Sequence, residues 1–82
     1  MYLDMNLYKK TDKAKALLKA GCFKESLAII KTFRSGFNKK EKRNIQITYE
    51  SLVGHKKFYI SLGIDVDKVM KETRQLLADK YF

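Results

Sequence analysis

Apolar residues recur along this chain at the three- and four-residue spacing of amphipathic helices, and no alternating apolar and polar stretch competes with them. Four glycines and no proline interrupt the pattern, which leaves long stretches without a helix breaker. The sequence therefore predicts an all-α fold, a small bundle of four to five short helices with short connections. The predicted helices span residues 12–20, 23–34, 39–53 and 66–80, and a short helical turn that plugs the core is predicted within 55–62.

Capping residues indicate where these helices begin. Thr11 is predicted to cap the first helix, and Gly21 is predicted to end it in a left-handed conformation. Asn38 and Glu41 have the spacing of a capping box at the start of the third helix. Asp65 is predicted to cap the last helix, whose apolar period is the clearest in the chain.

The length of 82 residues suits one domain with a modest core. A domain of this size buries only about 60 to 65% of the surface that its unfolded chain exposes. We predict an N-terminal arm over residues 1–10 and a single helical domain over residues 11–82. The arm's conformation stays open among a strand-like segment, a first helical turn and a segment docked on a partner.

One stretch resembles a known repeat. From Ala14 to Ile29 the chain reads AKALLKAGCFKESLAI, with Gly21 placed for a tight turn and Phe23 placed to pack back over the first helix. This stretch resembles the inner part of a tetratricopeptide repeat. The resemblance does not recur along the chain, whereas repeat arrays need several stacked units. It therefore implies a single helical hairpin.

A second resemblance rests on several short pieces in a longer part of the chain, from Leu27 to the C-terminus. They are Thr32-Phe33-Arg34 followed by Gly36, the basic turn from Lys39 to Arg43, Tyr49-Glu50, and Phe58-Tyr59 followed by Leu62-Gly63 and Asp65. With these pieces the chain looks like short uncharacterised open reading frames of phages and other mobile elements. No catalytic signature accompanies this resemblance, so it implies a small accessory protein.

The net charge of +9 is concentrated in one stretch of the chain. Between Lys9 and Arg43 there are twelve Lys or Arg residues against three acids, and the remaining residues carry six of each. Clustered cations bind a polyanion with release of its counterions, so this stretch predicts a phosphate-binding face. A solvated lysine-rich turn is the alternative interpretation. The predicted nucleic-acid-binding residues are Arg34, Asn38, Lys39, Lys40, Lys42 and Arg43.

Two functions fit these features. The first is a non-enzymatic accessory protein that binds DNA or RNA mainly through phosphates, with base reading by Asn44 and Gln46 disfavoured because Ile45 and Ile47 crowd them. The alternative is a protein-interaction module, either a mobile-element inhibitor or an adaptor of a larger nucleic-acid enzyme, whose basic face meets an acidic protein surface. A peripheral membrane binder ranks last, since the apolar faces are expected in the core.

The aromatic residues extend the first hypothesis, because aromatic rings stack on unpaired bases. Phe37 lies in the turn before the third helix and is the aromatic residue that we expect to be exposed. Phe33, Phe58 and Tyr59 have helical spacing and are expected in the core.

Catalytic and metal chemistry is not indicated. Cys22 and His55 are the single residues of their types, and nothing in their spacing brings them together as a nucleophile and a base or as a zinc site. We predict that the protein is not an enzyme and needs no cofactor or metal. One cysteine cannot form an internal disulfide, which agrees with a reducing compartment, and no signal peptide or membrane span is evident. The predicted location is the cytoplasm.

Overall fold

The computed structural model describes the backbone of residues 2–33 and 36–82 and the side chains of residues 10–33 and 36–82. This part of the chain is helical and contains no strand, which confirms the predicted all-α class. The segment Ser51–His55 joins the third helix to the fourth. The helices are α1 Tyr2–Lys19, α2 Phe23–Ile30, α3 Lys39–Glu50, α4 Lys56–Ser61 and α5 Val66–Tyr81.

The chain forms two compact units, Met1–Phe33 and Arg34–Phe82. In the first unit α1 packs against α2, and in the second unit α3 packs against α5. An arm over residues 1–10 and a single domain over residues 11–82 stay predictions.

The first unit differs from the expectation at both helix boundaries. The first helix begins at Tyr2 instead of residue 12, so Thr11 lies inside α1 and does not cap it. No glycine or proline precedes Thr11 to stop the helix from extending towards the N-terminus. Helix α2 ends at Ile30 and not at residue 34, because the Thr32 hydroxyl bonds to the Ile29 carbonyl at 2.6 Å and three-residue backbone bonds close the last turn.

A buried hydrogen bond joins the two helices of the first unit. The Ser26 hydroxyl of α2 donates to the Ala14 carbonyl of α1 at 2.8 Å, and both residues are completely buried. Leu27 and Ile30 complete the buried side of α2. Gly21 adopts a φ of +82° in the connection, as the left-handed turn predicted there requires.

The core of the second unit lies between α3 and α5. Ile45 and Thr48 of α3 and Thr73 and Leu77 of α5 are essentially inaccessible to solvent. The predicted cap of the last helix is confirmed, since the Asp65 side chain accepts a bond from the Lys68 amide. These contacts hold α3 by one side and leave its other side to solvent.

The segment Ser51–His55 ends α3 earlier than the sequence predicted. Gly54 adopts a φ of +114°, a conformation that residues with a side chain rarely take, and the chain turns there into α4. Helix α4 buries none of its residues, so the prediction that this segment plugs the core is wrong. Six residues that follow a turn are too few to present a continuous apolar face to the core.

Lys80, near the end of the second unit, contacts two residues near the start of that unit. The Lys80 ammonium donates to the Gly36 carbonyl and lies 4.7 Å from the centroid of the Phe37 ring. Phe37 is buried, so the expectation that it is exposed is wrong. The cation of Lys80 and the chain of methylene groups that carries it cover the ring. None of the described helices combines the length and the apolar character needed to cross a bilayer.

Candidate nucleic-acid interface

The capping box of Asn38 and Glu41 fixes the start of α3. The Asn38 amide donates to the Glu41 carboxylate at 2.9 Å, and the Glu41 amide donates to the Asn38 side-chain oxygen at 2.8 Å. This arrangement confirms the predicted capping box. It also places a carboxylate at the positive end of the helix dipole, where it offsets the neighbouring lysines. Asn38 therefore serves first as a structural residue that sets the rotation of α3.

Three cations share one side of α3. Lys39, Lys42 and Arg43 are spaced by three and four residues, which places them along one edge of an α-helix, and all three are exposed. Ile45 and Thr48, which face α5, lie on the other side. We call Lys39, Lys42 and Arg43 the basic stripe. The packing of α3 thus directs three cations of the predicted site to solvent together.

Lys40 is exposed but lies on a different side of α3. It lines a shallow cleft of about 250 Å³ together with Asn38, Glu41, Asn44 and Glu72. Two carboxylates in this cleft disfavour a phosphate group, because like charges repel. Lys40 is accordingly less suited to a phosphate than the residues of the basic stripe.

The two polar residues of α3 that were considered for base reading, Asn44 and Gln46, face different directions. The Asn44 amide group donates to the Glu72 carboxylate at 3.5 Å, which turns it towards α5. Ile45 and Ile47 are buried, whereas Gln46 is exposed and follows the basic stripe along the same side of the helix. Arg34, the remaining predicted site residue, lies outside the described residues.

The basic stripe leads towards an aromatic pair. Glu50 lies seven residues after Arg43, on the same side of α3. Partial burial and the Glu50 carboxylate raise the pKa of the Tyr59 hydroxyl of α4, and the Arg43 guanidinium opposes the rise. The charge of Arg43 therefore acts on the Tyr59 hydroxyl, although the turn at Gly54 lies between these residues in the sequence.

Phe58 is the exposed aromatic residue beside this site. Its ring meets the Tyr59 ring edge to face, with centroids 5.2 Å apart and an interplanar angle of 77°. Phe58 is 58% exposed, so its predicted place in the core is wrong. The signal available in the sequence was the position of Phe58 directly after Lys56 and Lys57, in a segment too short to bury it.

Cys22 and His55, the remaining residues with reactive side chains, belong to different units. Cys22 is partly buried in the first unit, and His55 is exposed at the start of α4. In the described part of the chain, no three His, Cys, Asp or Glu residues are grouped so that they can hold a metal ion. Comparisons with protein-family models, with curated proteins and with solved structures give no significant match.

Proposed function

We propose that this protein is a non-enzymatic nucleic-acid-binding protein that contacts the phosphate backbone of DNA or RNA through its basic stripe. The observation that carries this proposal is the exposure of Lys39, Lys42 and Arg43 together on one side of α3. The opposite side of the helix is anchored on α5 by buried residues. A charged edge held on a packed helix is preorganised, so little side-chain and backbone order has to be gained on binding.

The charges around the stripe support a phosphate ligand. Lys39 and Arg43 form no ion pair with the described residues, so a bound phosphate has no such pair to displace there. The net charge of +9 adds a long-range attraction for any polyanion. Lys40 and Asn38 lie at the same end of α3 but have secondary roles in phosphate binding. Lys40 lines a cleft that contains two carboxylates, and Asn38 forms the capping box.

Sequence-independent binding is supported by the polar residues of α3. Specific readout uses amide and guanidinium groups that reach base edges from a helix. Asn44 instead bonds to Glu72, and Gln46 is left as the exposed amide next to the stripe. The Arg43 guanidinium belongs to the basic stripe, and with Gln46 it is the exposed group of this kind beside the stripe, which is too few for base recognition and supports the phosphates as the main contacts.

A protein-interaction module is the second candidate, and one observation favours it. Phe58, Ile60 and Leu62 are each more than half exposed, with values of 58%, 53% and 59%. Exposed apolar side chains next to cations suit an acidic protein surface with apolar residues of its own. The proposal further places the protein in the cytoplasm, supported by its single cysteine, and in a phage or mobile element, supported by the resemblance described above.

The test is fluorescence anisotropy with labelled single- and double-stranded DNA and RNA over a range of salt concentrations. The variant Lys39→Ala/Lys42→Ala/Arg43→Ala removes the stripe. A matched control, Lys13→Ala/Lys68→Ala/Lys71→Ala, removes the same charge from exposed helical positions elsewhere. Circular dichroism checks that both variants keep their helices.

We expect the stripe variant to lower the slope of log affinity against log salt by about 2 to 3 units, because each phosphate contact contributes about 0.7 to 0.9. The control is expected to lower it by less than about one unit. Equal losses in the two variants would show a diffuse charge effect and not a site. Absence of binding to all four nucleic-acid probes at low salt would overturn the proposal and favour the protein-interaction module.

A further inference from the structure

Helix α4 carries an aromatic side chain, Phe58, that is not buried in the core. The contact with Tyr59 is made edge to face, an arrangement in which one ring of the pair keeps its flat face free of the other. Phe58 is 58% exposed, more than any other described phenylalanine except Phe82 at the end of the chain. A fixed and exposed aromatic ring is the element on which proteins stack unpaired bases.

The basic stripe lies on α3 and the aromatic pair on α4, and the short segment Ser51–His55 connects these two helices. Arg43 and Glu50 are about 10 Å apart along the axis of α3, as seven residues at 1.5 Å each require. Glu50 and Arg43 both act on the pKa of the Tyr59 hydroxyl, and the Phe58 ring contacts the Tyr59 ring. A strand held by the basic stripe extends towards the Phe58 ring past the Glu50 carboxylate, which repels phosphate and leaves this position to a base.

Cations accompany the ring on α4 as well. Lys57 is exposed directly before Phe58, whereas Lys56 is held in an ion pair with Asp67 at 3.2 Å. A cation next to an exposed aromatic ring is the combination found in single-strand grooves, where the charge tracks the backbone and the ring holds the base.

The exposed apolar residues of α4 do not form one face for protein docking. A step of two residues turns an α-helix by about 200°, so Phe58 and Ile60 point to nearly opposite sides. Leu62, four residues after Phe58, lies on the Phe58 side, so the exposed apolar patch around Phe58 has only two residues. A docked apolar segment needs a continuous patch, whereas a stacked base needs a single ring. The geometry therefore favours a base over an apolar peptide at Phe58.

We propose that Phe58 stacks on an unpaired base of a nucleic acid held by the basic stripe, so that single-stranded DNA or RNA is the preferred ligand. This inference rests on the phosphate-binding function proposed above. It adds a binding residue on a second helix and a ligand class, because bases paired in a duplex do not offer their faces to a protein ring.

The chain contains no tryptophan, so a Phe58→Trp variant carries a single fluorescent reporter at the proposed stacking position. Oligothymidylate of twelve nucleotides and a twelve-base-pair duplex serve as the two probes. We expect the single strand to quench the tryptophan emission and the duplex to leave it nearly unchanged. An Ile60→Trp variant places the reporter at a position of similar exposure on the opposite side of α4, and its emission is expected to change little.

Affinity measurements separate stacking from apolar contact. Phe58→Leu keeps an apolar side chain but removes the ring, and we expect it to weaken single-strand binding by about 5- to 100-fold, the range that loss of one stacked base gives. Duplex affinity is expected to stay within twofold. Phe58→Tyr keeps a ring and is expected to retain single-strand binding. Since Phe58 is exposed, none of these changes removes a core contact.

The outcomes distinguish the two proposals. Equal affinity for the single strand and the duplex, together with no effect of Phe58→Leu, would overturn the stacking inference and leave the phosphate function of the stripe intact. Binding of neither probe would overturn both. Quenching of equal size in the Phe58→Trp and Ile60→Trp variants would show general coverage of α4 and would also overturn stacking.

Discussion

The Thr48 hydroxyl donates a 3.0 Å hydrogen bond to the Thr73 hydroxyl between α3 and α5, and both side chains are completely buried. The Thr73 hydroxyl in turn donates to the Val69 carbonyl at 2.9 Å. The hydroxyls of Thr48 and Thr73 thus each have an acceptor for the proton, as buried polar groups require. We call these two hydrogen bonds the relay. The relay lies in the packing between α3 and α5, which leaves the basic stripe on the solvent side of α3.

The relay predicts unequal effects for two similar substitutions. Thr73→Val removes the acceptor of a buried hydroxyl and leaves Thr48 unpaired, which should lower the free energy of unfolding by about 1 to 3 kcal/mol. Thr48→Val removes only the donor, while Thr73 keeps its bond to Val69, so the expected loss is about 0.5 to 1 kcal/mol. Urea unfolding followed by circular dichroism measures both values.

The double variant Thr48→Val/Thr73→Val is the control for this interpretation. It removes both hydroxyls and leaves no unpaired donor between the helices, so it should destabilise less than the two single losses added together. Strict additivity would contradict the relay, because two residues that do not interact show no coupling.

A second stability prediction concerns the first unit. Ser26→Ala removes the bond between the Ser26 hydroxyl and the Ala14 carbonyl, and we expect a loss of about 1 kcal/mol. Thr32→Ala is the matched control, because the Thr32 hydroxyl also bonds to a backbone carbonyl but is exposed to water. Denaturant titration should show a smaller loss for Thr32→Ala, and a larger loss would contradict the importance of burial.

The turn at Gly54 predicts a backbone effect without a steric clash. A β-carbon built at Gly54 meets no atom within 4 Å, but the φ of +114° is unfavourable for any residue with a side chain. Gly54→Ala is therefore expected to cost about 1 to 3 kcal/mol of unfolding free energy. Val53→Ala, at the neighbouring partly exposed position, should stay within about 0.5 kcal/mol. Thermal or urea unfolding compares the two variants.

Local signals in the sequence predicted the parts of the fold that depend on neighbouring residues. The Asn38 and Glu41 spacing predicted the start of α3, and Asp65 predicted the start of α5, because a cap is satisfied within one helical turn. The prediction that Thr11 caps the first helix was wrong, since residue type alone does not distinguish a threonine inside a helix from one at its start.

Exposure depended on contacts that local patterns do not contain. Phe37 is covered by Lys80, which bonds to a carbonyl 44 residues earlier in the chain, so its burial was not visible in its own segment. Phe58 is exposed because the turn at Gly54 carries α4 away from the core. The members of the basic stripe were predictable from residue type, whereas their proximity to Tyr59 required the turn.

The neighbourhood of Tyr59 predicts opposite pKa changes from two substitutions. Partial burial and Glu50 raise the pKa of Tyr59, and Arg43 lowers it, so Glu50→Gln should lower this pKa and Arg43→Gln should raise it further. NMR titration of ¹³C-labelled tyrosine measures each value, with Tyr59→Phe identifying the signal. The effect of Arg43→Gln should shrink at high salt because exposed charges are screened.

The sign of the pH dependence follows from the raised pKa. A tyrosine whose pKa is higher in the folded state stabilises the fold fully below its unfolded pKa, and this contribution is lost as the pH rises through the folded value. Wild type should therefore lose more stability at alkaline pH than Tyr59→Phe. If Arg43→Gln leaves the Tyr59 titration unchanged, the Arg43 charge does not act on Tyr59, and the basic stripe does not extend towards the aromatic pair.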